Sequence, residues 1–305
     1  MLHGERNQLA GCVKLLLLWV AASDGSVDDS ELEFAATHFP GIDGTVKTSD
    51  LLEVLSGGDL DSIEMAIRTL VKESRELRAH FLDMAITMSM ADREIAIVEH
   101  HILRFYADAL YLGTAMLEKR FQAITGTPIA IPGDPSSPSW WKRVDAGEDA
   151  DSPEGQPVMR DLYFGLQIAP EATAEEVQAA LEGHPDLGDS AAILLDPARR
   201  EVYDGTRATL KMIGRLRSRL GLDTGHSWFR EYCPEFVPMG SSAVFKAPAR
   251  PEPPKPSPTA AAKGSGKKGR TRRRRRRSGP QPMVLAIALA AALLVILAIY
   301  WFVLR

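Results

Sequence analysis

The last residues, "PMVLAIALAAALLVILAIYWFVLR", constrain the chain more than any other stretch. From Met283 to Leu304 there are 22 residues with no charge, no Gly and no Pro. A helix of that length rises about 1.5 Å per residue and spans roughly 33 Å, enough for the hydrocarbon core of a bilayer. Tyr300 and Trp301 stand near its far end, where amphipathic aromatic rings prefer the membrane interface. Core helices of water-soluble proteins are rarely so long and so evenly apolar. The sequence predicts one transmembrane helix over 282–305, with the lipid bilayer as its solvent.

Immediately before it lies "KKGRTRRRRRRSG", with Arg272, Arg273, Arg274, Arg275, Arg276 and Arg277 in one unbroken run. Positive charge flanking a membrane segment stays on the cytoplasmic side. Only Arg305 follows the apolar run. The expected arrangement is a tail anchor in the cell inner membrane, single-pass, with the N-terminal head cytoplasmic. The arginines lack interleaved aromatics and belong to no nucleic-acid-binding motif. Their place beside the membrane assigns them to orientation and to anionic lipids rather than to nucleic acid. From Lys246 to Arg277 there are thirteen Lys or Arg and one acid, whereas residues 1–245 hold 22 bases and 39 acids. An acidic head is thus joined to a basic tail, and the overall charge of −4 describes neither.

The head reads as helix throughout, so the expected class is all-α. "ERNQLAGCVKLLLLWVAAS" is a buried first helix; its apolar run "VKLLLLWVAAS" is too short for a signal sequence and is followed at once by "DGSVDDSE". Asp28 and Glu31 form a capping box for the next helix, and "TSDLLEVLSGG" stops on a glycine pair. "SIEMAIRTLVKES", "ELRAHFLDMAITMSMAD" and "EIAIVEHHILRFYADAL" carry apolar residues at helical spacing. His100-His101 inside the last of these suits packing better than catalysis. "AASDGSVDDSE" aligns with "SMADREIAIVE" at an offset of 68 residues, placing Asp24 on Asp92, Val27 on Ile95 and Glu31 on Glu99.

The pattern Ala-x-Asp-Gly-x-Val-x-x-x-Glu after an apolar helix, with a looser second copy, resembles the TerB-like family named for tellurite resistance. The resemblance covers roughly residues 10–125 and implies an all-helical bundle over 5–125. Arg93 stands where the family has glycine. The family's acidic turns are linked to metal binding, which makes Asp24, Glu31, Asp92 and Glu99 candidate ligands for a divalent cation. Glu31 is equally explained by its capping box and Asp24 by a tight turn before Gly25. Ala96, at the cap position of the second copy, cannot cap, so Glu99 lacks that explanation.

Residues 126–158 are rich in Pro, Gly, Ser and acids and read as a linker. Trp140 and Trp141 within it either plug a groove on a neighbouring unit or form an exposed docking element. A second unit follows over 159–222. "MRDLYFGLQIAPEATAEEVQAAL" has an aromatic-rich start, a Pro turn and a capping box of Thr173 with Glu176. "AAILLDPARREVYDGT" follows, with His184-Pro185-Asp186 between the two. In this order they resemble a J domain (DnaJ-like), shortened and degenerate. The resemblance implies that His184, Pro185 and Asp186 contact the seventy-kilodalton heat-shock chaperone and stimulate its ATP hydrolysis.

Two departures matter. Seven residues separate Asp186 from "LLDP", too few for a second long helix, and the helix before His184 has no Lys or Arg. The other reading of the tripeptide is a turn in which Pro185 fixes φ and Asp186 bonds locally.

"TRATLKMIGRLRSRLGLDTG" is a basic amphipathic helix with Leu210, Ile213, Leu216 and Leu220 on one face, and Lys211, Arg215, Arg217 and Arg219 largely on the others. It either packs on the J-like unit or offers a partner- or membrane-binding surface. An aromatic docking segment occupies 223–245, and a basic linker without a core occupies 246–281.

Cys12 and Cys233 form no Cys-x-x-Cys or Cys/His cluster, so neither a zinc site nor a disulfide framework is expected. No nucleophile elbow, phosphate loop or dinucleotide fingerprint occurs, and the chain is not expected to be an enzyme. Two functions remain: a membrane-anchored J-like cochaperone or cochaperone-derived adaptor, or a stress-associated scaffold or sensor that uses the TerB-like bundle.

Overall fold

Helix α1 (Leu2–Ala21) sets the architecture, because Leu16, Leu17, Leu18 and Val20 on successive faces are all fully buried. A helix that is apolar all round must be wrapped by others. In the computed structural model, which describes residues 2–24, 48–90, 95–147, 159–222 and 227–238, that is its position. It packs against α2 (Thr48–Ser56), α3 (Leu60–Val71), α4 (Arg75–Met88) and α5 (Ile97–Ala109). Helix α6 (Thr114–Thr125) closes on α4 and α5. Trp19 meets Phe105 and Tyr106 edge-on, each at 5.9 Å, and the Tyr106 hydroxyl donates to the Leu16 carbonyl at 2.6 Å. That bond lets a phenol sit in the core without an unsatisfied donor.

Local chemistry accounts for the helix ends. The Asp59 carboxylate caps α3 by accepting from the amides of Asp61 and Ser62, and Ser74 caps α4 by accepting from Leu77. Helix α6 ends at Gly126, in the left-handed region at φ 81°.

The stretch read as a linker is built into the fold over 126–147. Arg104 of α5 donates to the Ala130 carbonyl at 2.8 Å. Asp134 accepts from the amide and hydroxyl of Ser136, and α7 (Pro138–Asp145) seats Trp141 with its indole nitrogen donating to Pro135. Trp141 is buried, Trp140 is half-buried, and Arg199 lies over the Trp141 ring at 5.4 Å. The tryptophans thus plug a groove rather than standing exposed.

The remainder runs through α8 (Leu162–Leu166), α9 (Ala174–Gly183), a 3-10 turn at Pro185–Leu187, the short α10 (Gly188–Ala191) and a 3-10 turn at Ala192–Leu195. Then come α11 (Pro197–Leu220), α12 (Trp228–Tyr232) and a last turn at Pro234–Phe236. All regular elements among the described residues are helical, so the fold is all-α.

Helix α11 corrects one expectation. Leu210, Ile213, Leu216 and Leu220 are buried as predicted, and α11 packs on α5 and α3 rather than only on the segment over 159–195. Arg217, expected to project outward, is 2% exposed and pairs with Asp108 of α5 at 2.7 Å. Arg219 pairs with Asp61 and Glu64 of α3. The stretches read along the sequence as two domains therefore share one core.

The proposed anchor at 282–305, the arginine run Arg272–Arg277 and the segment 246–281 lie outside the described residues. No helix among the described residues is long and apolar enough to cross a membrane.

Candidate functional site

The tripeptide turn is carried by an interlocked scaffold. Tyr203 of α11 is buried against α8. Its hydroxyl accepts from the Leu162 amide at 2.7 Å and donates to the Arg160 carbonyl at 3.1 Å. Tyr163 reaches the other way, its hydroxyl donating to Asp204 at 2.7 Å and accepting from Arg200 at 2.9 Å. Burial and the neighbouring Asp204 carboxylate push Tyr163 up to about 12, so it stays a neutral donor. Arg200 also donates to the carbonyls of Pro170 and Ala172, which pins the Pro turn between α8 and α9.

Beneath this lies a buried ion pair. Arg207 grips Asp161 with two bonds of 2.7 and 3.1 Å, and Lys211 approaches the second oxygen at 3.3 Å. The same carboxylate caps α8 through the Phe164 amide. Burial pushes the Asp161 carboxyl upward, but the Arg207 bonds and the charges of Arg207 and Lys211 outweigh it and hold it below the usual carboxylate range. Arg207 also lies over the Tyr163 ring at 4.9 Å.

Helix α9 begins with the capping box read from the sequence. The Glu176 amide donates to the Thr173 hydroxyl, and the Thr173 amide donates to Glu176. The helix ends at His184, with φ −132° and ψ 66°, and the Leu187 amide donates to the His184 carbonyl at 3.0 Å. His184 Nδ1 lies 3.0 Å from the Ala180 carbonyl. A carbonyl only accepts, so Nδ1 carries the proton and Nε2 is the ring's acceptor. Pro185 starts the 3-10 turn, and Leu187 closes it against Gly165 of α8. There is no room for more than a hydrogen at Gly165 without moving Leu187, because a Cβ would stand 3.0 Å from its Cδ1.

Pro185 and Asp186 are exposed, and His184 is half-buried. Among the described residues the Asp186 carboxylate makes no hydrogen bond or ion pair. The local bond expected for a purely structural turn is absent at Asp186; His184 supplies that bond instead. As the sequence indicated, the seven residues after Asp186 hold only short helical turns, not a second long helix.

The four candidate metal ligands are not brought together. Glu31 and Asp92 lie outside the described residues, and Asp24 ends the 3-10 turn Ala22–Asp24. Glu99 is buried and accepts from the Ala96 amide at 2.8 Å, the reciprocal half of a capping box, while Ala96 offers no side-chain acceptor to the first amides of α5. Among the described residues no group of three or more His, Cys, Asp or Glu is placed to hold a metal. A groove of about 320 Å³ lies between α3 and the end of α11, but its Asp61, Glu64, Arg68 and Arg219 already pair with one another.

Sequence reasoning missed the Arg207–Asp161 and Arg217–Asp108 pairs, whose partners lie 46 and 109 residues apart. The only available signal was an arginine falling close to the apolar stripe of α11. Comparison with protein-family models, with curated proteins and with solved structures finds no match to this chain.

Proposed function

We propose that this chain is a membrane-anchored, J-like cochaperone or cochaperone-derived adaptor, with His184-Pro185-Asp186 as its contact element. One observation carries the reading. The tripeptide forms a turn with Pro185 and Asp186 exposed on a locked scaffold, and the Asp186 carboxylate is left without a partner among the described residues. A contact group that binds through a fixed geometry must be held by its supporting shell, and the two tyrosines, Arg200 and the Asp161–Arg207 pair supply that shell. The apolar run at 283–304 and the arginines before it would hold the head at a cytoplasmic membrane surface.

The sequence resemblance supplies the partner class, a seventy-kilodalton heat-shock chaperone. The test is chaperone ATP hydrolysis in the presence of the full chain in non-ionic detergent, beside His184→Gln and Asp186→Asn. Stimulation by the parent chain that both variants lose supports the reading. No stimulation by any of the three overturns it and leaves the turn as a structural relic. Equal stimulation by all three removes the tripeptide from the mechanism.

A further inference from the structure

The stretch of chain around the tripeptide is acidic, and the one cation that the structure brings in beside the Pro turn, Arg200 of α11, is taken up by the Pro170 and Ala172 carbonyls and the Tyr163 hydroxyl. From Asp161 to Ala198 there are eight carboxylates and no Lys or Arg. Asp161 is buried, but Glu171, Glu175, Glu176, Glu182, Asp186, Asp189 and Asp196 are all exposed. Glu176 and Asp196 serve as caps. Glu171, Glu182, Asp186 and Asp189 have no ion-pair partner among the described residues. Carboxylates gathered this way repel one another, and a fold tolerates them where a cationic partner repays the cost.

An apolar element accompanies the charge. Phe164 is 72% exposed, the most open large hydrophobic residue described. It occupies the outer side of α8, whose Leu162, Tyr163 and Leu166 fill the core. The next residue, Gly165, touches Leu187, which directly follows Asp186. The ring and the tripeptide turn thus share one rim. An aromatic ring held on a rigid helix loses little freedom on binding and is the kind of anchor that dominates an interface.

We infer that the Phe164–Asp186 face docks a basic amphipathic segment of a partner protein. The partner's apolar side covers Phe164, and its Lys or Arg side chains meet Glu182, Asp186 and Asp189. The choice of occupant rests on charge complementarity, since an acidic or neutral segment gains nothing from the surrounding carboxylates. The inference builds on the reading of this turn as a contact surface, but it is tested without a chaperone, so the two can fail separately.

The probe is a synthetic peptide of about 18 residues, five helical turns, with Leu on one face and Arg on the other. Titration is against the full chain in non-ionic detergent, followed by fluorescence anisotropy. A control peptide replaces every Leu by Ser, and a second replaces every Arg by Glu. The parent chain should bind the Leu/Arg peptide, with affinity falling as salt rises from about 50 to about 300 mM. Phe164→Ser should weaken that binding about tenfold and leave the Ser/Arg peptide unchanged. Glu182→Lys with Asp189→Lys should weaken both Arg peptides, and the Leu/Glu peptide should not bind. All three residues are exposed, so an unchanged melting temperature verifies that the variants fold. Equal affinity of the Leu/Arg and Ser/Arg peptides, or no effect of Phe164→Ser, would overturn the inference by reducing the face to nonspecific charge attraction. Binding unaffected by the lysine pair would place the site elsewhere.

Discussion

Gly214→Ala reverses a general rule and so tests the packing around α11 sharply. In a helix interior Ala is normally favoured over Gly by about 0.5–1 kcal/mol. At Gly214, however, a Cβ would lie 2.1 Å from the Phe236 carbonyl oxygen, 3.3 Å from its carbon and 3.5 Å from Phe229 Cζ. A carbon and a carbonyl oxygen rest no closer than about 3.3 Å, so the last turn would have to retreat by about 1 Å. It cannot slide freely. The Tyr232 carbonyl accepts from the Met159 amide at 2.9 Å, and Glu235 accepts from the Asp161 amide at 2.7 Å. Retreat instead uncovers Phe229, Cys233 and Phe236, all buried. Fully exposing one such ring costs about 1.5–3 kcal/mol, and overpacking strain costs about 1–3 kcal/mol. With the helix gain subtracted, the expected net loss is about 1.5–5.5 kcal/mol, or roughly 3–22 °C in melting temperature for a head of this size. Gly205 is the internal control: it lies on the same helix, and a Cβ there meets nothing within 4 Å. Gly205→Ala should stabilise by about 0.5–1 kcal/mol. Thermal denaturation followed by circular dichroism, with Trp228 fluorescence reporting the last segment, reads both. An unchanged or raised melting temperature for Gly214→Ala would refute the close approach.

Acid should weaken the fold through His100 and His101, which burial and the charge of Arg104 hold down to about 3 from 6.5. A depressed pKa contributes stability that is present above 6.5 and lost as pH falls toward 3, up to about 3 kcal/mol per ring by pH 4.5. Asp134, pushed up to about 6 by burial, acts oppositely: its contribution is present below 3.8 and lost as pH rises through 6, so it offsets at most one ring. Urea midpoints at pH 7 and pH 4.5 should therefore differ more in the parent than in His100→Leu/His101→Phe; an equal difference refutes the assignment. Asp161→Asn leaves the buried Arg207 guanidinium without its counter-charge and should cost about 3 kcal/mol by urea unfolding. A loss under about 1 kcal/mol would refute the dependence of Arg207 on this carboxylate, since Lys211, a second cation, cannot replace it.

Whatever is decided within one helical turn could be read from the sequence. The Thr173–Glu176 box needs only an oxygen and a carboxylate three residues apart, and it forms where expected. Asp196 before Pro197 starts α11, and Gly221 at φ 71° ends it. The buried stripe of α11 follows from its spacing. Its partner does not, because an apolar stripe states that a helix is covered and not by what. Composition likewise misread 126–147. Pro, Gly and Ser suit a mobile linker, but they also suit a tight surface path, and the difference lies in whether Trp141 and Asp134 find partners. Glu99 shows the reverse: the absence of a capping side chain at Ala96 singled it out as a ligand, yet its carboxylate still closes back on the Ala96 amide as in a capping box.

The length of α11 explains why the two stretches are not separate bodies. At about 1.5 Å per residue its 24 residues extend roughly 36 Å, long enough to reach from α8 to the bundle. Its first half carries Arg200, Tyr203, Asp204 and Arg207, which lock α8 and the Pro turn. Its second half carries Leu216, Arg217, Arg219 and Leu220, which belong to the bundle. A helix is stiff over this length, so loosening either end costs contacts at the other. The buried charges make that linkage specific. The two terminal nitrogens of Arg217 bond to Asp108 and to the Leu222 carbonyl, and its guanidinium lies over the Phe229 ring at 5.3 Å, while its buried Nε has no hydrogen-bond partner among the described residues. The tripeptide turn is accordingly positioned by the bundle as well as by its own small scaffold. The short elements over 162–195 thereby share the core of the bundle through α11.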